Sequence, residues 1–484
     1  MKKKAFNIVI SAIFVGICIV PLVSMIFTDT SESIGNEQEA ELPKVITEDG
    51  INTSFSTEFD DYFSQLNPLR TDLINLENTL KIDLLSSSSN GVIKGENGYL
   101  FSEETTDDYL GVTLSDRRLY SIAKTIKLTQ DYAEQNGSSF VFTVVPNKNS
   151  IYSEYMPSRF IKSDENNLSI LTENLKELNV NYVDLYSLFT SIDAELYLKD
   201  DTHWNNLGAL YGYNAIMDAL DHSLKDYSGA TYEIRNDFVG DLTDMAFPQS
   251  DRTCSQYYFN IEYSDYMFLQ PRSEDNAETL AELMGDEEKI DGLIRTSNPN
   301  ASGSLYILRD SFGRAMLPFL IDNYESTYIT RYQPINLQQS SYDDIVWETV
   351  ERNISDIAAT APMIYALECE VPENVEELTS ENNIVQSEAT DTSVSLYGVL
   401  DSKYFETDSN IYIVISNNNV GYCYEAFPIC ETEKLGIDAD SDYGFSLTID
   451  LTSIDAGDYS VSAIISNDNK IFSTGVITQF TKEE

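Results

Sequence analysis

Apolar and polar positions alternate with different periods in successive parts of the chain, and each change of period predicts a change of structure. From Ala5 to Phe27 almost every side chain is apolar, behind a basic start of Met1-Lys2-Lys3-Lys4. Such a run is long enough to cross a bilayer as a helix, and Pro21 near its far end is tolerated there. Lysines on the near side predict that the rest of the chain lies outside. A cleaved signal peptide is the rival reading, but no clear small-x-small site follows Phe27 and the run is long for one. Thr28 to Gly50 is acidic, lacks an apolar period and reads as a tether. Phe55, Phe59, Tyr62, Phe63 and Leu66 then recur at helical spacing, and Pro68-Leu69-Arg70 opens a second helical run to Leu84.

From Gly98 onward short β-rich runs alternate with helical ones. Strands are predicted at 98–101, 139–145 (stopped by Pro146), 181–185, 304–309, 327–330 and 361–367, and helices at 115–135, 168–178, 205–220, 312–322 and 342–353. This alternation predicts an α/β fold with a mostly parallel sheet covered on both faces. Residues 231–300 do not fit it and read as an insertion over one edge. Residues 371–392 are acidic and polar, a linker. After them the pattern is all β, in short runs at 393–400, 409–417, 420–428, 444–451, 457–467 and 470–479. Short strands at that spacing predict a β-sandwich. The expected organisation is a transmembrane anchor (1–27), an acidic tether (28–50), an α/β domain (51–370), a linker (371–392) and a β-sandwich (393–484).

Charge narrows the function. The 80 acidic and 30 basic side chains leave a formal charge of −50, which excludes a nucleic-acid-binding footprint. Five cysteines, with Cys18 inside the apolar run, make no disulfide framework. Cys423 and Cys430 are close enough in sequence to pair within the last domain, a point the sequence leaves open, while Cys254 and Cys369 read as buried thiols. No Cys-x-x-Cys or His-rich spacing points to zinc, and no cofactor is expected. Asp438 to Gly444 has the composition of a Ca²⁺ loop, but its glycine is one position late and it reads as a turn.

The chemistry gathers around one of only two histidines. Asp201 precedes His203 by two residues, and side chains at i and i+2 of an extended segment point the same way. A carboxylate on Nδ1–H turns Nε2 into a directed base. The plainer reading is a helix-capping turn ahead of 205–220. His222, near a helix end, reads as a partner of the helix dipole. A nucleophile is offered by Ser311 in Arg309-Asp310-Ser311-Phe312-Gly313-Arg314, at a strand-to-helix turn on the carboxyl edge of the sheet, where open α/β folds hold their ligands. Ser311 also reads as an ordinary N-cap. Asn147 and Lys148 follow a strand end and are expected on the same rim, either as an oxyanion donor and a binder of sugar hydroxyl or carboxylate, or as a plain Pro-Asn turn and a solvated surface charge. Arg309, Arg314 and Arg331 read equally as lining the cleft or as pairing with the abundant carboxylates. Tyr397, Tyr404, Phe405, Tyr412, Tyr422, Tyr424 and Phe427 are either a sugar-stacking face or sandwich core.

With these residues in place, Asp201-Thr202-His203-Trp204 resembles the Asp-x-His-Trp signature of the DHHW proteins and the Asp-x-His of the alginate O-acetyltransferase family. Phe59-Asp60-Asp61-Tyr62-Phe63, Gly95-Glu96-Asn97-Gly98-Tyr99-Leu100-Phe101, Val145-Pro146-Asn147-Lys148, Gly240-Asp241-Leu242 and Asp310-Ser311-Phe312-Gly313 agree in order, across roughly 42–370. Arg309 stands where ordinary SGNH hydrolases carry the Gly of Gly-Asp-Ser. The Asp-x-His lies upstream of the serine, an order shared with the alginate-type enzymes. The resemblance implies an SGNH-hydrolase-like domain with Ser311 as nucleophile, His203 as base and Asp201 as its orienter. It implies an extracytoplasmic O-acetyltransferase of a cell-surface polysaccharide, with acetyl supplied by a membrane-bound O-acyltransferase partner. A carbohydrate esterase with the same triad, and a non-catalytic glycan-binding surface protein, are the alternatives.

Overall fold

A computed structural model describes residues 11, 14–16, 19–20, 23–24, 42–47, 50–84, 88–220, 225, 227, 229–248, 250–261, 267–268, 292–338, 341–378, 380, 382–417, 420–431, 433, 436–437, 441–452, 454–467 and 470–483. The anchor expected at 1–27, His222 and the turn expected from Asp438 lie wholly or largely outside them. Among the described residues no helix is long and apolar enough to cross a membrane.

A seven-stranded sheet organises the first region, in the order Tyr182–Val183, Ser139–Val145, Asp344–Val350, Ser304–Leu308, Ser326–Thr330, Leu293–Ser297, Met267–Phe268. The first five strands pair in parallel and the last two antiparallel. The central strands are apolar on both faces, as parallel strands covered by helices must be. Val141, Val145, Leu305, Ile307, Val346 and Val350 pack into one apolar cluster with the Asn206–Ala219 and Leu317–Asn323 helices. Phe140, Phe142, Tyr306, Leu308, Ile345 and Trp347 point the other way, into a cluster shared with the Asp116–Gln135 and Asn167–Glu177 helices. Ser115 caps the first of those two helices through the Arg118 N–H, and Asn166 caps the second in a reciprocal capping box.

Three expectations are corrected. Residues 342–353, read as a helix, hold the Asp344–Val350 strand and a 3₁₀ turn, Glu351–Asp356. All seven strand residues are buried. A strand covered on both faces loses its period-two signature, and Ile345, Val346, Trp347 and Thr349 favour strand by shape. Residues 361–367, read as the last strand, are irregular apart from a single bridge from Met363 to Asn336. The stretch 231–300 is not wholly an insertion: Leu293–Ser297 joins the main sheet, while Tyr232–Phe238 and Cys254–Phe259 form a separate pair.

Beyond Glu368 the chain is strand-rich. A six-stranded and a four-stranded sheet contribute alternate residues to one core around Leu396, Ile413, Phe445, Leu447, Val461 and Ala463. The 371–392 stretch, expected as a linker, supplies Glu376–Glu377 and Ile384–Ala389 to these sheets. Cys423 and Cys430 do not meet. Cys423 lies opposite Cys369 with their sulfurs 3.4 Å apart, and Cys430 packs into the core beneath the α/β sheet. The aromatic side chains considered as a stacking face are dispersed: Tyr424 and Phe427 are buried, Tyr404 packs on Phe472, and Phe405 lies under Arg117. The region is fastened to the Asp116–Gln135 helix by Lys124–Glu425 (2.7 Å) and Arg118–Glu431 (3.4 Å), and by the buried Arg117, which donates to the Thr407 and Ser409 carbonyls.

Candidate active site

Three parallel strands end on one rim, and each delivers polar residues there. Ser139–Val145 leads to Pro146-Asn147-Lys148, Ser304–Leu308 to Arg309-Asp310-Ser311, and Asp344–Val350 to Glu351-Arg352. A loop from Tyr197 to Trp204, closed on itself by a β-bridge between those two residues, brings in the histidine.

Asp201 Oδ1 accepts from His203 Nδ1 at 2.7 Å and from the His203 backbone N–H at 2.8 Å. An ionised carboxylate only accepts, so the imidazole proton sits on Nδ1 and the Nε2 lone pair is free to accept. Nε2 faces Ser311 Oγ at 2.8 Å, across 108 residues of sequence. Neither plainer reading applies. Asn205 caps the Asn206–Ala219 helix, accepting from the Gly208 N–H, so Asp201 is left for the imidazole. Ser311 makes no side-chain cap bond. Asp310 takes that work, accepting from the Phe312 and Val350 N–H groups at 2.8 and 2.6 Å. Trp204 ties the two halves together, its indole N–H donating to the Phe312 carbonyl at 2.9 Å. The Phe312 ring lies 4.6 Å from the imidazole.

Charge follows burial. Burial opposes the charge on Asp201, but the imidazolium and the hydrogen bonds from His203 and Asp241 hold it down to about 2. Burial of the imidazole opposes its protonation, yet Asp201 outweighs this and His203 is held above its ordinary 6.5, with Asp241 adding and Arg352 subtracting.

Asn147 and Lys148 are on this rim but not in the roles expected. Asn147 is fully buried. Its side-chain amide donates to Asp108 at 3.0 Å and its backbone N–H to Glu351 at 2.7 Å, so the side chain is enclosed in the scaffold and presents no surface to a ligand. Lys148 is 4% exposed and donates to the carbonyls of Leu198, Lys199 and Asp201, at 3.0, 3.0 and 2.5 Å. It holds the backbone of the histidine loop and does not face a ligand. Burial pulls its ammonium down to about 8, against the attraction of Asp201, Asp241 and Asp200. Arg309 is buried behind the serine, donating to the Asp310 carbonyl. Arg314 is half-buried one turn past it.

The sequence reading assigned no chemistry to several groups of this rim. Asp241 and Thr202 flank the histidine, Glu348 accepts from the Asp310 N–H, and Glu351 accepts from Asn147, Ser150 and Asn166. Burial pushes Glu351 up to about 7. The Arg352 guanidinium lies over the Phe312 ring at 5.4 Å. Only the Gly240-Asp241-Leu242 motif signalled any of these. Asp201, His203 and Asp241 bring donor atoms within 4.8 Å of one another. The imidazole faces Asp201 with one nitrogen and Ser311 with the other, so this set is a hydrogen-bonded relay and not a ligand shell.

Residues 92–306 match the SGNH hydrolase-like domain of the acetyltransferase AlgX. The matched span holds Asp201, His203 and Asp241 and ends short of Ser311. The chain is also similar to a probable alginate O-acetylase AlgJ of Pseudomonas putida, 26% identical over 149 residues, 30% of this chain and 38% of that relative. It thus spans well under half the length of the curated relative it matches. Among solved structures it is similar to a DHHW family protein from Eubacterium siraeum (20% identity, TM-score 0.42, covering 55% of this chain and 93% of that one). It is also similar to Bacillus cereus PatB1 carrying a sulfonyl adduct (18%, TM-score 0.44, covering 54% and 95%). The resemblance to the alginate O-acetyltransferase family read from Asp201-Thr202-His203-Trp204 agrees with the AlgX domain match and the AlgJ relative. The chain carries an SGNH-hydrolase-like α/β domain on a mixed sheet, followed by a strand-rich region.

Proposed function

We propose that this chain is an extracytoplasmic serine O-acetyltransferase of a cell-surface polysaccharide. The observation that carries the reading is the unbroken line of hydrogen bonds from Ser311 through His203 to Asp201, at 2.8 and 2.7 Å. Ser311 Oγ attacks the carbonyl carbon of an acetyl ester while His203 Nε2 takes its proton. The tetrahedral oxyanion would be held by backbone N–H groups of the turn that opens at Ser311 other than those of Phe312 and Arg314, which already donate to Asp310 and to the Ser311 carbonyl. Collapse expels the donor alcohol, which recovers the proton from His203, and leaves acetyl on Ser311. A sugar hydroxyl, deprotonated by the same nitrogen, then attacks that ester and regenerates the serine. Asp201 fixes the tautomer and stabilises the imidazolium throughout.

The alginate O-acetylase name of the relative and the AlgX match support a polysaccharide acceptor. Residues 1–27 would anchor the chain, 28–50 tether it, 51–370 carry the chemistry and 393–484 form a β-sandwich packed against it. The acetyl donor would be delivered by a membrane-bound O-acyltransferase.

The test is acetyl-ester turnover by the full chain, the parent beside Ser311→Ala and His203→Ala, with intact mass read during turnover. Loss of rate in both variants and one acetyl group on Ser311 are expected; equal rates would refute the triad. An oligosaccharide that captures acetyl faster than water supports transfer, and hydrolysis alone would make the protein an esterase.

A further inference from the structure

A second carboxylate stands beside the imidazole. Asp241 opens the short Asp241–Ala246 helix, and three contacts bind it to the histidine loop. Its backbone N–H donates to Asp201 Oδ2 at 2.9 Å. Its carboxylate accepts the Thr202 backbone N–H at 2.7 Å and the Thr202 hydroxyl at 2.5 Å. That hydroxyl lies 3.1 Å from His203 Nδ1, and Asp241 Oδ2 itself lies 3.7 Å from the same nitrogen. Such proximity requires Gly240. A Cβ there would fall 2.2 Å from the Asp200 carbonyl oxygen and 2.9 Å from the Asp201 Cβ, closer than atoms approach. The two acids differ in exposure: the Asp201 side chain is 7% exposed and the Asp241 side chain 38%. One is sealed against the ring; the other reaches solvent.

We propose that Asp241 is a positioning residue whose charge, with Thr202 as its hydroxyl link, sets the proton affinity of His203 and so the pH at which the serine is activated. The consequence for rate rests on the triad reading above; the effect on the imidazole does not. The groups facing the ring are Asp201 on its own loop, Asp241 from the Asp241–Ala246 helix, Arg352 from the turn after the central strand, and the uncharged Thr202, Ser311 and Phe312. Asp241 and Asp201 act in the same direction on His203, Arg352 against them. The buried Lys148 ammonium interacts with both carboxylates from behind.

The chain's two histidines make the test independent of catalysis. In a His222→Gln background the one remaining imidazole is His203, and its ring C–H resonances are followed against pH by NMR in the full chain. Asp241→Asn is expected to lower the titration midpoint by roughly half to one pH unit, the size of shift a neighbouring charge produces near a partly exposed site. The acid limb of kcat/KM for an acetyl ester should move down by the same amount. A midpoint unchanged by Asp241→Asn would overturn the proposal and leave Asp241 a brace for the loop. If Asp241→Asn fails to fold, Asp241→Ser removes the same charge with a smaller polar side chain; a lowered midpoint supports the proposal and an unchanged one overturns it. If Ser311→Ala keeps full turnover, the triad reading fails while the NMR result still decides the role of Asp241.

Discussion

The rim of the α/β sheet and the strand-rich region that follows it bury their side chains on opposite terms. At the rim Asn147, Lys148, Asn149, Asp201, Glu348 and Glu351 are all at most 5% exposed, each a residue type that seldom goes inside. Beyond residue 371, Ser409 is the one buried polar side chain among the described residues. A buried polar group lowers stability unless a partner satisfies it, so a fold gathers such groups only where a fixed geometry repays them. The strand-rich core is held by apolar contact and ladder hydrogen bonds and has no equivalent cluster. On the proposed function, chemistry would belong to the first region and bracing to the second.

The contrast is broken or sharpened by substitutions on each side. Ser311→Ala should reduce acetyl-ester turnover at least about ten-thousand-fold with the melting temperature nearly unchanged; a smaller loss would place the nucleophile elsewhere. Lys148→Met strands three carbonyls that an ammonium now satisfies. It should cost about 3 kcal/mol in denaturant unfolding, and through the displaced histidine loop about a hundred-fold in turnover. Arg117→Met in the other region should cost about 2 kcal/mol by the same measurement, with turnover per folded molecule equal to the parent. A loss of turnover there would show that the strand-rich region shapes the site. The smallest effect is the pH profile of the parent. Because His203 is held above 6.5, its neutral, basic form prevails only above that raised value. The kcat/KM for an acetyl ester should therefore rise with pH through a midpoint above 6.5, and a midpoint below it would contradict the pairing with Asp201.

Much of this was legible in the residues. The regular spacing of short β-rich runs identified the strands past residue 393, and Ser139–Val145 between its glycine and proline was read to the residue. Asp201, His203 and Ser311 were singled out because each stood in a context with a chemical use for it, and the fold brings them within hydrogen-bond reach of one another. The central strand was missed because burial on both faces erases the alternation that marks a strand, and seven residues are too few to argue by length. Asn147 and Lys148 were found at the right rim and given the wrong work. Sequence places a side chain after a strand end but does not reveal that Asp108, distant in the chain, is waiting for the amide, or that three carbonyls converge on the ammonium. Asp241 was visible only as part of a motif, since its relation to His203 arises from a close approach that Gly240 permits and no local pattern announces.

The position of Asp344–Val350 has a consequence for biosynthesis. It lies between Ser139–Val145 and Ser304–Leu308, yet it is made after both. While a nascent chain is still emerging, the strand leading to Lys148 and the strand leading to Ser311 have no shared neighbour to align them. On the proposed reading, the nucleophile and its base are therefore brought together only when this later segment, with about 130 residues still to follow, slots into the middle of the layer.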